Sequence, residues 1–201
     1  MNLPVIIFDL GGVLINIRYH RFIETLGLDH SVDEAKLLQM LTPDGHLYES
    51  GKISTKDFFT RLNQHFNMKY DEKQLHRAWY AILAEEIDGM RTLVEQLSQR
   101  QPLYLLSNTN ELHFEYAKKK YPVLNLFKHH FVSYKIGAMK PSPQIYHHVV
   151  QFLRRKPEEL FFCDDTEKNV VGARNIGIQS MQFTGVDTLK KTLGEIGFEV
   201  P

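Results

Sequence analysis

Val5-Ile6-Ile7-Phe8-Asp9-Leu10-Gly11-Gly12-Val13 sets an apolar run against one carboxylate and a pair of glycines. Asp9 and the glycines interrupt the apolar stretch and no basic leader precedes it, so it reads as a buried strand ending in a turn rather than a secretory signal. Further short runs share this form at residues 103–106, 131–133, 160–163 and 179–183. Each is too brief for a stable helix and is bounded by polar or glycine residues. Helical spacings lie between the later runs: Ile145, Val149 and Phe152, then Val170, Val171, Ala173 and Ile176, stopping at Gly177. Strands alternating with helices predict an α/β fold, a parallel sheet covered on both faces.

The first two runs break this rhythm, because far more chain separates residue 8 from residue 103 than one crossover helix needs. The gap holds only helical periodicity. It places Phe22, Ile23 and Leu26 together, then Leu37, Leu38 and Leu41, then Phe58, Leu62 and Phe66 after Ser54, then Leu75, Trp79, Ile82 and Leu83 after Asp71. Thr42-Pro43-Asp44-Gly45 is a turn signal that divides the set into two helical pairs. The expected organisation is a core domain of residues 1–14 and 89–201 with a small α-helical cap at 15–88, and Met90, Leu93, Val94 and Leu97 on the crossover helix.

Composition narrows the class. The 201 residues are 43% hydrophobic and 24% charged, which suits one globular unit with an insertion and not a disordered, collagen-like or coiled-coil chain. Twenty-four basic and 24 acidic side chains cancel, so no global field gathers nucleic acid or an anionic membrane, and any phosphate chemistry must be local. No window approaches the roughly 18 apolar residues of a membrane span. The lone Cys163 allows no intramolecular disulfide and no cysteine zinc site, and fits a reducing cytoplasm. Lys118 to Lys120 reads as a solvated helix end, and the histidines as structural or exposed, because the adjacent pairs His129-His130 and His147-His148 diverge on a helix.

In a parallel sheet the residues just past the strands face the ligand. Those residues are Asp9, Gly11 and Gly12; Ser107 and Asn108; Asp164 and Asp165, with Asn169 beyond; and Lys140 in the loop Gly137-Ala138-Met139-Lys140-Pro141-Ser142-Pro143. Taken singly each has an ordinary reading, such as a helix cap for Ser107-Asn108 or a surface lysine for Lys140. Together, three carboxylates and one lysine at one sheet edge are costly unless a divalent cation joins them. Oxygen ligands without clustered histidine or cysteine favour Mg²⁺, which prefers one or two carboxylates plus phosphate oxygens and water. A phosphoryl substrate follows.

The ordered set Asp9-Leu10-Gly11-Gly12-Val13, Ser107-Asn108-Thr109-Asn110, Lys140-Pro141-Ser142-Pro143 with Ile145-Tyr146, and Asp164-Asp165 with Asn169 resembles the four motifs of the haloacid dehalogenase superfamily, in its helical-capped phosphatase branch. Tyr48-Glu49-Ser50-Gly51-Lys52-Ile53-Ser54 is similar to a Glu-x-Gly-x-Ile-Ser stretch of that branch. The resemblance implies a Rossmann-like core, a cap, and Mg²⁺-dependent hydrolysis of a phosphomonoester, such as a sugar phosphate or another small phosphorylated metabolite, through an aspartyl-phosphate. On it, Asp9 is the nucleophile; Asp9, the Gly11 carbonyl and Asp165 hold the metal with Asp164 as a further ligand or an orienting group. Gly11, Gly12, Ser107, Asn108 and Lys140 bind the phosphoryl oxygens; in the cap, Tyr48, Glu49 and Trp79 are candidates for substrate contact, with packing in the cap core as the alternative reading of each. One position departs from the common pattern: the second aspartate, the usual general acid and base, is replaced by Gly11. Acidic leaving groups are therefore favoured unless the cap or a metal-bound water supplies a proton. The alternatives are a metal-independent haloacid dehalogenase and a catalytically silent binding protein.

Overall fold

The computed structural model describes residues 3–28 and 32–199. Along the chain run β1 (Val5–Phe8), β2 (Ile15–Ile17), α1 (His20–Leu26), α2 (Glu34–Glu49), α3 (Thr55–Gln64), α4 (Glu72–Ala81), β3 (Leu83–Glu86), α5 (Met90–Ser98), β4 (Leu103–Ser107) and α6 (Glu111–Lys120). There follow β5 (Phe127–Val132), α7 (Ser133–Ile136), α8 (Pro143–Leu153), β6 (Leu160–Asp164), α9 (Glu167–Arg174), β7 (Gln179–Gln182) and α10 (Val186–Glu195). The main sheet is five-stranded and parallel, in the order β5-β4-β1-β6-β7. This is a Rossmann-like α/β core.

Alternation explains why the sheet is covered on both sides. Ile6 and Phe8 face one apolar cluster with Leu105, Phe161, Cys163 and the α5 residues Met90, Leu93, Val94 and Leu97. Ile7 faces the other, with Leu106, Phe162 and the α8 residues Ile145, Tyr146 and Val149. Phe8 is paired with Leu105 on one side and Cys163 on the other, so the residues that follow β1, β4 and β6 emerge along one edge.

The segment between β2 and β3 has a core of its own, built from Phe22, Leu37, Leu41, Phe58, Leu62, Leu75 and Trp79. Two of its helices begin with reciprocal caps: Ser54 with Asp57, and Asp71 with Gln74. Helical periodicity alone does not describe it, since β2 and β3 form a short antiparallel pair that carries the chain in and out, and Leu83 belongs to β3. Nor does the chain turn at Thr42–Gly45. Helix α2 runs through Pro43, which lies on its exposed face with Gln39, the residue one turn back whose carbonyl the proline cannot serve. Burial of Leu37, Leu41 and Tyr48 along the opposite face outweighs the local signal.

Strand β5 starts at Phe127, not 131, and Ser133 already belongs to α7. As an edge strand it tolerates the polar Lys128, His129 and His130, which hide it from an apolar pattern. His129 and His130 therefore lie on a strand, with His129 stacked on Phe152 at 4.3 Å and His130 Nε2 2.9 Å from the Leu124 carbonyl. Phe152 and Val171 sit in the expected helices, yet both are exposed. No described helix is long and apolar enough to cross a membrane.

Candidate active site

Asp9 continues β1, its N–H donating to the Cys163 carbonyl at 2.9 Å. Its carboxyl Oδ1 accepts from the Leu10 N–H at 2.7 Å and lies 2.8 Å from Lys140 Nζ. Among the described residues no donor reaches Oδ2. Lys140 is buried, and its ammonium also donates to Asp164 Oδ2 at 2.6 Å and to the Leu106 carbonyl at 3.0 Å. Its main chain is held by one side chain: Asn108 Oδ1 accepts from Lys140 N–H at 2.8 Å, and Asn108 Nδ2 donates to the Lys140 carbonyl at 2.9 Å. The residue after β4 thus fixes the lysine loop beside Asp9.

Asp164 is wholly buried and accepts from the Thr166 N–H and Asn169 Nδ2 as well as from Lys140. Asp165 is less enclosed. Oxygens of Asp9, Asp164 and Asp165 lie within 4.8 Å of one another, so the three predicted carboxylates do converge. Gly12 makes that approach possible: its φ is +75°, and a Cβ there would fall 2.2 Å from Asp165 Oδ2. A Cβ on Gly11 would meet only the flexible end of Ile17, at 3.0 Å. Ser107 closes β4, buried beside Asn108.

These groups line one side of a cavity of about 540 Å³, with Gly11, Gly12, Ser107, Asn108, Lys140 and Asp165 around Asp9. Tyr19, Glu49 and Trp79 line the other. Tyr48, also a candidate, is turned away, stacked on Phe58 at 4.7 Å with its hydroxyl on Thr55. Three residues shape the site in ways the sequence did not assign. Asn110 caps α6 and accepts from Trp79 Nε1 at 3.3 Å, tying the helical segment to the β4 loop. Ser133 Oγ accepts from the Thr109 N–H and donates to its carbonyl, bracing the same loop. His113 is flat against Trp79 at 4.5 Å and reaches the Trp79 carbonyl at 2.8 Å. Asn110 stands in the Ser107–Asn110 motif without a role that the motif assigns, Ser133 only ends an apolar run, and His113 gives no signal beyond being a polar residue beside apolar helix positions.

Electrostatics follow from burial. It pushes the Asp9 carboxyl up to about 7, with Lys140 pulling down and Asp164 adding to the rise. Burial works against the charge on Lys140, but Asp9 and Asp164 outweigh it and hold the ammonium above its ordinary range. Burial lowers His113 to about 4, leaving it neutral. With all three carboxylates ionised, one ammonium leaves a local excess of two negative charges, which a divalent cation would cancel.

The chain is similar to known proteins in sequence and in structure. D-ribitol-5-phosphate phosphatase of Bacteroides thetaiotaomicron is 27% identical over 190 residues, covering 88% of this chain and 90% of that protein. Flavin mononucleotide hydrolase 1 of Arabidopsis thaliana is 24% identical over 99% of this chain and 80% of its own length. A haloacid dehalogenase family enzyme of B. thetaiotaomicron matches in structure with a TM-score of 0.85 at 27% identity, over 96% of this chain and 98% of that one. The same enzyme in complex with magnesium and inorganic phosphate gives 0.80 at 28% identity, over 92% and 96%. A family model for haloacid dehalogenase-like hydrolases matches residues 3–177, and with the carboxylates and lysine of its motifs converging at one sheet edge the chain belongs to that family and is a hydrolase.

Proposed function

We propose that the protein is a Mg²⁺-dependent phosphomonoester hydrolase acting on a small phosphorylated metabolite, such as a sugar or alditol phosphate, through an aspartyl-phosphate on Asp9. The observation that carries this reading is the buried Asp9, held through Oδ1 by Lys140 and Leu10 at the floor of a cavity that also contains Asp165. Anchoring Oδ1 leaves Oδ2 to attack phosphorus in line with the ester oxygen. The ester P–O bond breaks, the acyl phosphate forms, and water then attacks the same phosphorus and frees the Asp9 carboxylate with inorganic phosphate. Ser107 and the Asn108 backbone amide receive phosphoryl oxygens, and the Lys140 ammonium stabilises the charge that develops there.

The donor set fits magnesium: oxygen ligands, without histidine or cysteine in the cluster. Asp9, Asp165 and the Gly11 carbonyl would hold the ion, while Asp164, already engaged by Lys140, Asn169 and Thr166, orients them. When bound, the ion neutralises charge on the transferring phosphoryl group. The relatives support the substrate class, one acting by its name on a polyol phosphate and another on flavin mononucleotide. Displacement of halide, which needs no metal, gives no use for the converging carboxylates.

The test is a panel of phosphomonoesters that includes sugar and alditol phosphates, assayed with Mg²⁺ and with excess chelator. Phosphate release that stops on chelation is expected. Asp9→Asn, which keeps the side-chain shape and removes the nucleophile, should abolish turnover; undiminished release would overturn the covalent route.

A further inference from the structure

The cavity holds one titratable group that the steps above leave idle. Glu49 ends α2, and the chain on either side fixes its place. Ser50 Oγ donates to the His46 carbonyl at 2.7 Å, tightening the last turn. Gly51, with φ +67°, lies so close to α7 that a Cβ would fall 2.3 Å from the Tyr134 carbonyl oxygen. The end of α2 therefore rests directly on the core, and Glu49 lines the same cavity as Asp9, Ser107 and Lys140.

Hydrolysis needs a proton at two moments: the departing alkoxide must gain one, and the attacking water must lose one. Gly11, two residues after the nucleophile, has no side chain to supply either. The other titratable groups in the cavity are accounted for. Asp9 is the nucleophile and Asp165 belongs to the acidic cluster. All three Lys140 protons have acceptors in Asp9, Asp164 and the Leu106 carbonyl. His113 has its Nε2 on the Trp79 carbonyl and its Nδ1 3.4 Å from Asn110 Nδ2. The Tyr19 hydroxyl is pushed up to about 12 by burial and by Glu49 and Glu34 nearby. Glu49 is left. Its carboxyl makes no hydrogen bond or ion pair with a described residue; burial pushes it up to about 7, Lys140 pulling it back, so both protonation states are populated near neutrality.

We propose, resting on the phosphatase reading above, that Glu49 is the general acid and base of this enzyme and that its substrates are therefore phosphate monoesters of unactivated alcohols. As Asp9 attacks and the P–O ester bond breaks, the Glu49 carboxyl gives its proton to the leaving oxygen and becomes a carboxylate. In the second half that carboxylate takes a proton from the water whose oxygen bonds to phosphorus, the P–O bond to Asp9 breaks, and Glu49 ends protonated as it began.

The experiment measures rates with Mg²⁺ for phosphate esters ranging from aryl to primary alkyl, in the wild-type protein and in Glu49→Gln. The wild type should depend only weakly on leaving-group pKa. Glu49→Gln should slow alkyl esters by about 10² to 10⁴. With p-nitrophenyl phosphate it should release a burst of about one nitrophenolate per site before slow turnover, because a good leaving group departs unaided while the aspartyl-phosphate still lacks its base. A steep leaving-group dependence in the wild type would overturn the proposal, whether or not the variant folds. So would a Glu49→Gln protein that slows every ester alike and gives no burst. Absence of phosphate release from any ester in the wild type sinks the phosphatase reading itself; release with a steep slope sinks Glu49 alone.

Discussion

Lys140 shows how much one side chain can carry. Its ammonium is the sole described cation between Asp9 and Asp164, and its main chain is clamped by Asn108. Lys140→Ala removes charge stabilisation worth about 10² to 10³ in rate, as is typical of such a donor. It also leaves two buried carboxylates facing each other, a loss on the order of 3–5 kcal/mol at neutral pH. Turnover assays and denaturant melts should show both losses, and the stability deficit should shrink in acid as Asp9 takes up its proton. Asp9, Lys140 and Asp165 were legible because each follows an apolar run or a proline-bounded loop, where a charged side chain has few structural uses. The clamp was not: Asn108 and Lys140 are 32 residues apart, and nothing in either neighbourhood specifies the other.

At the scale of elements, long apolar faces and whole strands were readable, and short or polar ones were not. Strand β1 is apolar throughout because it is central and buried on both faces. The β2–β3 pair is too short to establish a period, and β5 trades apolar residues for Lys128, His129 and His130 at the sheet edge. Helix α2 is the clearest conflict between local and tertiary preference. Since Pro43 is exposed in its interior, Pro43→Ala should restore an N–H to the Gln39 carbonyl and stabilise the protein by about 1–3 kcal/mol. Thermal melting checks this; no gain would mean that the proline's restriction of the unfolded chain already offsets its cost in the helix.

At the scale of the whole molecule, burial of carboxyls at the joint between the helical segment and the sheet ties stability to pH. Glu49 rises from its ordinary 4.5 to about 7, so the folded state binds its proton more tightly than the unfolded chain does. Stability from this group is therefore lost as pH climbs from about 4.5 through about 7, and Asp9, rising from 3.8 to about 7, acts in the same sense. Glu49→Gln has no such proton to lose. Its melting temperature relative to wild type should increase across that interval and level off above it, measured in chelator so that metal binding does not contribute; a constant difference would remove the linkage. Lys140 and Tyr19 face the same carboxyl and stay in one charge state throughout the interval.

Trp79 is the chain's single tryptophan, and it sits where the two bodies meet, its ring on His113 and its Nε1 on Asn110. The molecule thus carries an intrinsic fluorophore at its own joint. Ligand that draws the helical segment onto the sheet, or holds it off, must alter the polarity around that indole or its distance from the imidazole. Adding inorganic phosphate with Mg²⁺ should shift the emission in a saturable way, and Asn110→Ala, which removes the indole's acceptor, should shift the starting spectrum to longer wavelength by admitting water. A spectrum indifferent to both would mean that the joint is rigid. A saturable shift would let stopped-flow emission, with no label attached, follow ligand binding at the cavity in time.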